Sequence, residues 1–167
     1  TKQSQEMIKK LDGELKITGY ANLFGPRYRD VSFPYFVQKN RETFRLYERF
    51  KPDMKLKMVY YYDSITVEDR VGAALSYQQI CESMPDKTMR ERAEEVAKRY
   101  RSPFHVFKSP EELKAQGVDL RGERTANWLL EWKDRKVWLR TYPAEIDNTL
   151  PMEREISAAL KGLVTKY

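Results

Sequence analysis

Few side chains in this chain are of a type that carries out chemistry. Cys81 is the sole cysteine and His105 the sole histidine among 167 residues. One cysteine excludes an internal disulfide framework and a Cys-x-x-Cys redox pair. One histidine excludes His-rich zinc sites and any mechanism that needs two imidazoles. Cys81, next to Glu82 near the end of an expected helix, reads as a small buried hydrophobe. His105 lies within Phe104-His105-Val106-Phe107. It reads as a packed or capping histidine; a general base is the alternative, for which no second catalytic group is identifiable. Asp63 follows Tyr60-Tyr61-Tyr62. A functional carboxylate is one reading of it, and a turn-forming Asp at a strand end the preferred one. Glu94-Glu95 and Glu111-Glu112 are adjacent pairs that diverge on a helix and read as solvated surface. No residue is assigned as catalytic, cofactor-binding or metal-ligating, and no cofactor is expected.

A binding role has a better candidate. Arg27, Tyr28, Arg29, Phe33, Tyr35 and Phe36 interleave basic and aromatic side chains in one loop. Such a loop grips a protein partner or stacks nucleic-acid bases; alternatively its aromatics pin it to the core. A glycine-rich phosphate cradle is missing, and the chain has only 7 glycines.

The elements that must position these residues follow from periodicity. Met7, Ile8 and Leu11 place a short helix over Ser4 to Leu11, ended by Asp12-Gly13. Leu15 to Ala21 alternates as a strand, with Leu15, Ile17, Gly19 and Ala21 on one face. Tyr35 to Phe50 reads as an amphipathic helix with Phe36, Thr43, Tyr47 and Phe50 inward, stopped by Lys51-Pro52-Asp53. Met54 to Tyr62 is the clearest strand, and its apolar tail predicts cover on both faces at that end. Helices are expected over 67–82 and over Asp86 to Arg101, and a short extended piece over Phe104 to Phe107. Ser109-Pro110-Glu111-Glu112 reads as a helix start and Gly117 as its end.

Thr125 to Trp132 and Lys136 to Tyr142 predict a β-hairpin turning at Asp134-Arg135. Pro151 opens a closing helix with Met152, Ile156, Ala159, Leu160 and Leu163 on one face, its last turn loosened by Gly162. The expected fold class is α/β and thioredoxin-like: one domain over 1–167, with a parallel strand pair plus a C-terminal hairpin in a central mixed sheet flanked by helices. Ligands in such sheets gather at the carboxyl ends of strands, here Asn22 to Arg29 and Asp63 to Ser64. The first of these loops has no sulfur, which argues against thioredoxin-type redox catalysis.

Residues 1–60 carry 13 basic and 7 acidic side chains, while residues 61–167 carry 18 of each, so the whole net charge of +6 sits in the first third. A basic surface attracts nucleic acid, anionic lipid or an acidic partner, although interspersed acids also fit a plain solvated surface. No apolar run approaches the roughly 18 residues of a membrane span, and no signal-peptide pattern is visible. The lack of an initiating Met is read as the mark of a piece of a longer protein.

Several stretches resemble one known family. Asn40-Arg41-Glu42 through Arg49-Phe50-Lys51-Pro52, then Val59-Tyr60-Tyr61-Tyr62-Asp63, resemble the extracytoplasmic domain of the gliding-motility-type (GldG-like) ABC transporter auxiliary family. Ser4 to Leu11 with Leu15-Lys16-Ile17-Thr18, Phe107 to Leu113, and Glu155 to Leu160 resemble further segments of it. The similarity is diffuse, spans nearly the whole chain and includes no catalytic signature. It implies a non-enzymatic domain on the periplasmic face of the inner membrane, acting with ABC permease and ATPase subunits. Membrane segments outside this sequence would anchor it. Partner contact is then expected at the loop carrying Arg27, Tyr28, Arg29, Phe33 and Tyr35, and nucleic acid is not expected. A basic nucleic-acid-binding module and a small-ligand receptor are the alternatives.

Overall fold

The computed structural model describes residues 2–25, 42, 44, 45, 47–65, 71–118, 120, 126–139 and 153–165, without the side chains of 71–74, 126, 127 and 153. In chain order the elements are α1 (Lys2–Lys9), β1 (Leu15–Asn22), β2 (Lys55–Tyr61), α2 (Val71–Ser83), α3 (Met89–Arg99), a 3-10 turn (Phe104–Val106), β3 (Phe107–Lys108), α4 (Pro110–Ala115), β4 (Ala126–Trp132), β5 (Arg135–Leu139) and α5 (Glu153–Val164). Between β1 and β2, Glu42, Phe44, Arg45, Tyr47 and Glu48 are helical.

The strands form one mixed sheet in the order β3-β2-β1-β4-β5. β1 is central. It pairs in parallel with β2, Gly19 opposite Met58, and antiparallel with β4, Gly19 opposite Trp128. Both expected features are present, the parallel pair and the C-terminal hairpin.

Alternation along β1 divides the sheet into two unlike faces. Leu15 and Ile17 join Trp128, Leu130 and Leu139 under α1, α5 and the Phe44–Tyr47 helical segment. Ala21 continues this face into a second cluster, with Phe24, Tyr62 and Phe107 packed on Ala93, Val96 and Ala97 of α3. Burial on this scale is the main favourable term in the fold.

One contact sets the spacing of this face. Gly19 lies in the middle of β1, and a Cβ there would come within 2.5 Å of Met58 Sδ and 2.8 Å of Trp128 Cζ3. The Trp128 ring lies across the missing side chain, fully buried, 5.1 Å from the Phe44 ring. Glycine in a strand interior normally weakens it; here it admits the close approach of an indole.

Local capping fixes the helix ends. Thr88 with Glu91 and Ser109 with Glu112 each form a capping box. Gly117 ends the α4 region at φ +75°. Arg135 Nη1 donates to the Leu163 carbonyl at 2.6 Å, tying the last turn of α5 to β5. Lys51 is buried; its Nζ donates to the Leu11 carbonyl at 2.6 Å and pairs with Asp53 at 2.9 Å. This lysine joins the end of α1 to the approach into β2, and its ammonium holds the exposed Asp53 carboxyl below the usual range.

Four expectations are corrected. The hairpin turns at Lys133–Asp134, because Trp132 pairs with Arg135. Lys133 takes φ +55°, with its ammonium on Asp12 at 3.0 Å and over the Trp132 ring; those contacts hold a conformation that glycine usually supplies. The extended piece is a 3-10 turn, followed by the two-residue β3 that pairs with β2. On the helical segment before β2, Phe44 is fully buried, a residue the Phe36–Thr43–Tyr47 phase passes over. Gly162 does not loosen α5, which continues to Val164 with Gly162 set against Val137.

Gly19→Ala is expected to lower stability by about 1–3 kcal/mol through overpacking. It would be read as a lower urea midpoint at unchanged m-value. An unchanged midpoint would mean that Trp128 and Met58 can move aside at no cost.

Candidate functional site

The carboxyl ends of the parallel strands are where this architecture normally presents a ligand crevice. Here they are tied to each other. Leu23 N donates to the Tyr61 carbonyl at 2.9 Å. Asn22 is 1% exposed, and its Oδ1 accepts from Phe24 N at 3.0 Å and from Asp63 N at 3.4 Å. Its Nδ2 donates to the Asp63 carbonyl at 3.2 Å. One amide side chain therefore bridges both strand ends. Asp63 acts as the expected turn former, its Oδ1 accepting from Ser64 N at 2.7 Å. Phe24, Tyr62, Tyr77, Phe104 and Phe107 surround this end with tilted, edge-on and stacked ring contacts.

Beside this clamp lies a half-open cavity of about 470 Å³, lined by Asp63, Pro110, Leu113, Lys114, Gly117, Val118 and Leu120. Its lining is mainly apolar and includes one acidic and one basic side chain, Asp63 and Lys114. That is a size suited to a small ligand.

The remaining candidates are separate from it. Cys81 is half-buried, not buried, and its Sγ lies 3.5 Å from Arg92 Nη1. Arg92 is committed to structure: it also donates to the Met84 and Pro85 carbonyls. Burial, reinforced by Cys81, pushes the Tyr77 phenol up to about 12. His105 is exposed and caps no helix end among the described residues, which corrects the packed or capping reading. The tight 3-10 turn directs Phe104 toward Tyr62 and leaves the next residue in solvent. Glu94 pairs with Arg90 at 3.3 Å and Glu95 with Lys87 at 3.5 Å. Glu112 is not simple surface, since its carboxylate accepts from Ser109 N. Arg27, Tyr28, Arg29, Phe33 and Tyr35 lie outside the described residues. Among the described residues no group of three or more His, Cys, Asp and Glu is placed to hold a metal ion, and no helix is long and apolar enough to cross a membrane.

The second face of the sheet is covered over half its length. Tyr20, Tyr61 and Leu129 are buried under Leu113 and Leu120, with Val59 and Val118 beside them. Toward the amino ends of β1 and β2 the face is open and basic. The strand register places Lys55, Lys16, Glu131 and Lys136 in one row across four strands. The next row is Lys57, Thr18, Leu129 and Trp138. Lys16, Lys55 and Lys136 have side chains 58%, 69% and 69% exposed. Trp138 is 40% exposed, its ring 5.8 Å from that of Tyr20. Glu14 pairs with Lys55 at 2.8 Å and Lys16 at 3.6 Å, and Glu131 with Lys136 at 3.2 Å. Lys55 donates a hydrogen bond to Glu14, which lowers the carboxyl pKa and raises that of the lysine.

The sequence reading missed both Asn22, treated only as the start of a loop, and this lysine face. Asn at the last position of a strand, followed by Leu23-Phe24-Gly25, is a recognisable signal for a side-chain-stabilised turn. Strand alternation puts Lys16, Thr18 and Tyr20 on the face opposite Leu15 and Ile17, but the register that sets them beside Lys55, Lys57 and Trp138 is tertiary information.

Comparison with protein-family models, curated proteins and solved structures finds no match to this chain.

Asn22→Ala is expected to cost roughly 1–3 kcal/mol by leaving buried backbone groups unpaired. Amide exchange should accelerate at Phe24 and Asp63 and stay unchanged in α5. Equal acceleration in α5 would show that Asn22 holds the fold globally and is not a local clamp.

Proposed function

We propose that the chain is a non-enzymatic interaction domain of an ABC transport system, working through protein contacts on the periplasmic face of the inner membrane. The observation that carries this reading is the division of the sheet. At the strand ends where related architectures position substrates, Asn22 and Asp63 hold the chain's own backbone. The lysine-rich half of the opposite face is instead turned to solvent. Such a face suits contact with another macromolecule better than turnover of a small molecule. The transport context comes from the family resemblance of the Asn40–Pro52 and Val59–Asp63 stretches.

A thioredoxin-like assignment of the fold belongs to the same proposal. Its support is the order β2-β1-β4-β5, with a parallel pair, an antiparallel hairpin and a closing helix. Leu23-Phe24-Gly25 stands where such an enzyme would place its first cysteine, so the scaffold is proposed without the redox chemistry.

A pulldown from native membranes with the tagged protein is expected to recover the permease and ATPase subunits together. Recovery of soluble cytoplasmic proteins alone would contradict the reading.

A further inference from the structure

We infer that the open half of the sheet face docks an acidic, extended segment of a protein partner, with Lys55, Lys57, Lys16 and Lys136 as the charge contacts and Trp138 as the apolar anchor. This deepens the proposed interaction role and rests on it.

The geometry of a β-sheet sets the match. Same-face neighbours on one strand are about 6.5–7 Å apart, and adjacent strands about 4.8 Å apart. Lys55 and Lys57 are such neighbours on β2, both exposed. An extended peptide running along β2 repeats its side chains at the same interval. Carboxylates at alternate positions of that peptide would therefore meet the two ammoniums in turn. Lys57 is exposed and makes no ion pair with another described residue, which suits it to meet one of these carboxylates. In the same row, two strands beyond Thr18, Trp138 has its ring steadied by Tyr20 while 40% of it stays exposed. A half-exposed, braced tryptophan beside charged side chains is the usual composition of an interface anchor.

The pattern of signs favours a protein over other polyanions. Glu14 lies between Lys16 and Lys55, and Glu131 beside Lys136. A phosphate backbone or an anionic lipid surface would bring negative charge over these carboxylates as well as over the lysines. A peptide can place one acid over Lys57 and another on the side of Lys55 away from Glu14, with neutral or basic residues over Glu14 and Glu131. Single-stranded nucleic acid gains most from successive aromatic platforms, whereas Trp138 is the one strongly exposed ring on this face among the described residues. The lysine pattern also predicts that association is accelerated by charge and weakened by salt.

The test uses the full protein in native membranes, with permease and ATPase recovery as the readout. Lys55→Glu/Lys57→Glu is expected to reduce recovery at least about tenfold, and Trp138→Ala to reduce it on its own at unchanged charge. Lys98→Glu on α3, away from this face, is expected to leave it unchanged. Circular dichroism and the thermal midpoint of each variant separate lost docking from lost folding; should the double variant not fold, Lys57→Gln with Trp138→Ala gives the same readout. Permease recovered equally by wild type and folded face variants would overturn this surface assignment while leaving the interaction reading standing. No permease recovered by wild type would overturn the interaction reading itself. Binding of a dT oligonucleotide or of phosphatidylglycerol vesicles at physiological salt, abolished by the same substitutions, would reassign the face to nucleic acid or lipid and so overturn the peptide proposal.

Discussion

The close approach of Trp128 to Gly19 is the constraint on which the rest of this structure depends. Among the described residues, β1 alone pairs on one side with the parallel partner and on the other with the hairpin. Its mid-point has no side chain, so the indole from β4 and the thioether from β2 meet over it. The Phe44 ring then packs on the indole, and α1 and α5 close over the same cluster. A side chain at position 19 would push the indole and thioether apart and lift that helical layer. Because interiors are packed near crystal density, such a displacement has no free volume to absorb it.

The same strand divides the sheet into two unlike faces. On one face it is sealed by helices along its length. On the other, α4 and the residues after it cover the half nearest the carboxyl ends, and the amino-terminal half carries lysines in solvent. The strand ends themselves are occupied by Asn22, whose amide serves both strands. The Asn22 amide and the backbone of Phe24 and Asp63 are hydrogen-bonded to one another at the strand ends, while exposed lysines lie on the half of the second face away from Leu113 and Leu120.

How much of this was legible depended on the range of the interactions. Strand β1, the parallel β2, the hairpin and the closing helix follow from alternation and helical spacing, which are local. So do the Ser109 cap and the Gly117 stop. The two-residue β3 was not legible, since Phe107 and Lys108 are too few to show a period and pair only because β2 is there. The hairpin turn was misplaced by one residue because no glycine marks it; Lys133 is held at positive φ by Asp12, 121 residues away in sequence. Lys51 reads in the sequence as part of a helix stop, whereas its burial depends on a carbonyl at Leu11. His105 was read from its apolar neighbours, but a 3-10 turn separates adjacent residues onto different sides. The lysine face was half legible: Lys16 and Thr18 share a face by alternation, while their alignment with Lys57 and Trp138 is a matter of register across four strands.

The proposed interaction role requires that a partner sit on the open sheet face. The most direct measurement is site-specific photo-crosslinking in native membranes, with a photoreactive residue at position 57 and, separately, at position 75 on the solvent side of α2, where Leu75 is 54% exposed. Adducts to the permease are expected from position 57 and none from position 75. Adducts from position 75 alone would contradict that placement and move the contact to the helical side of the molecule.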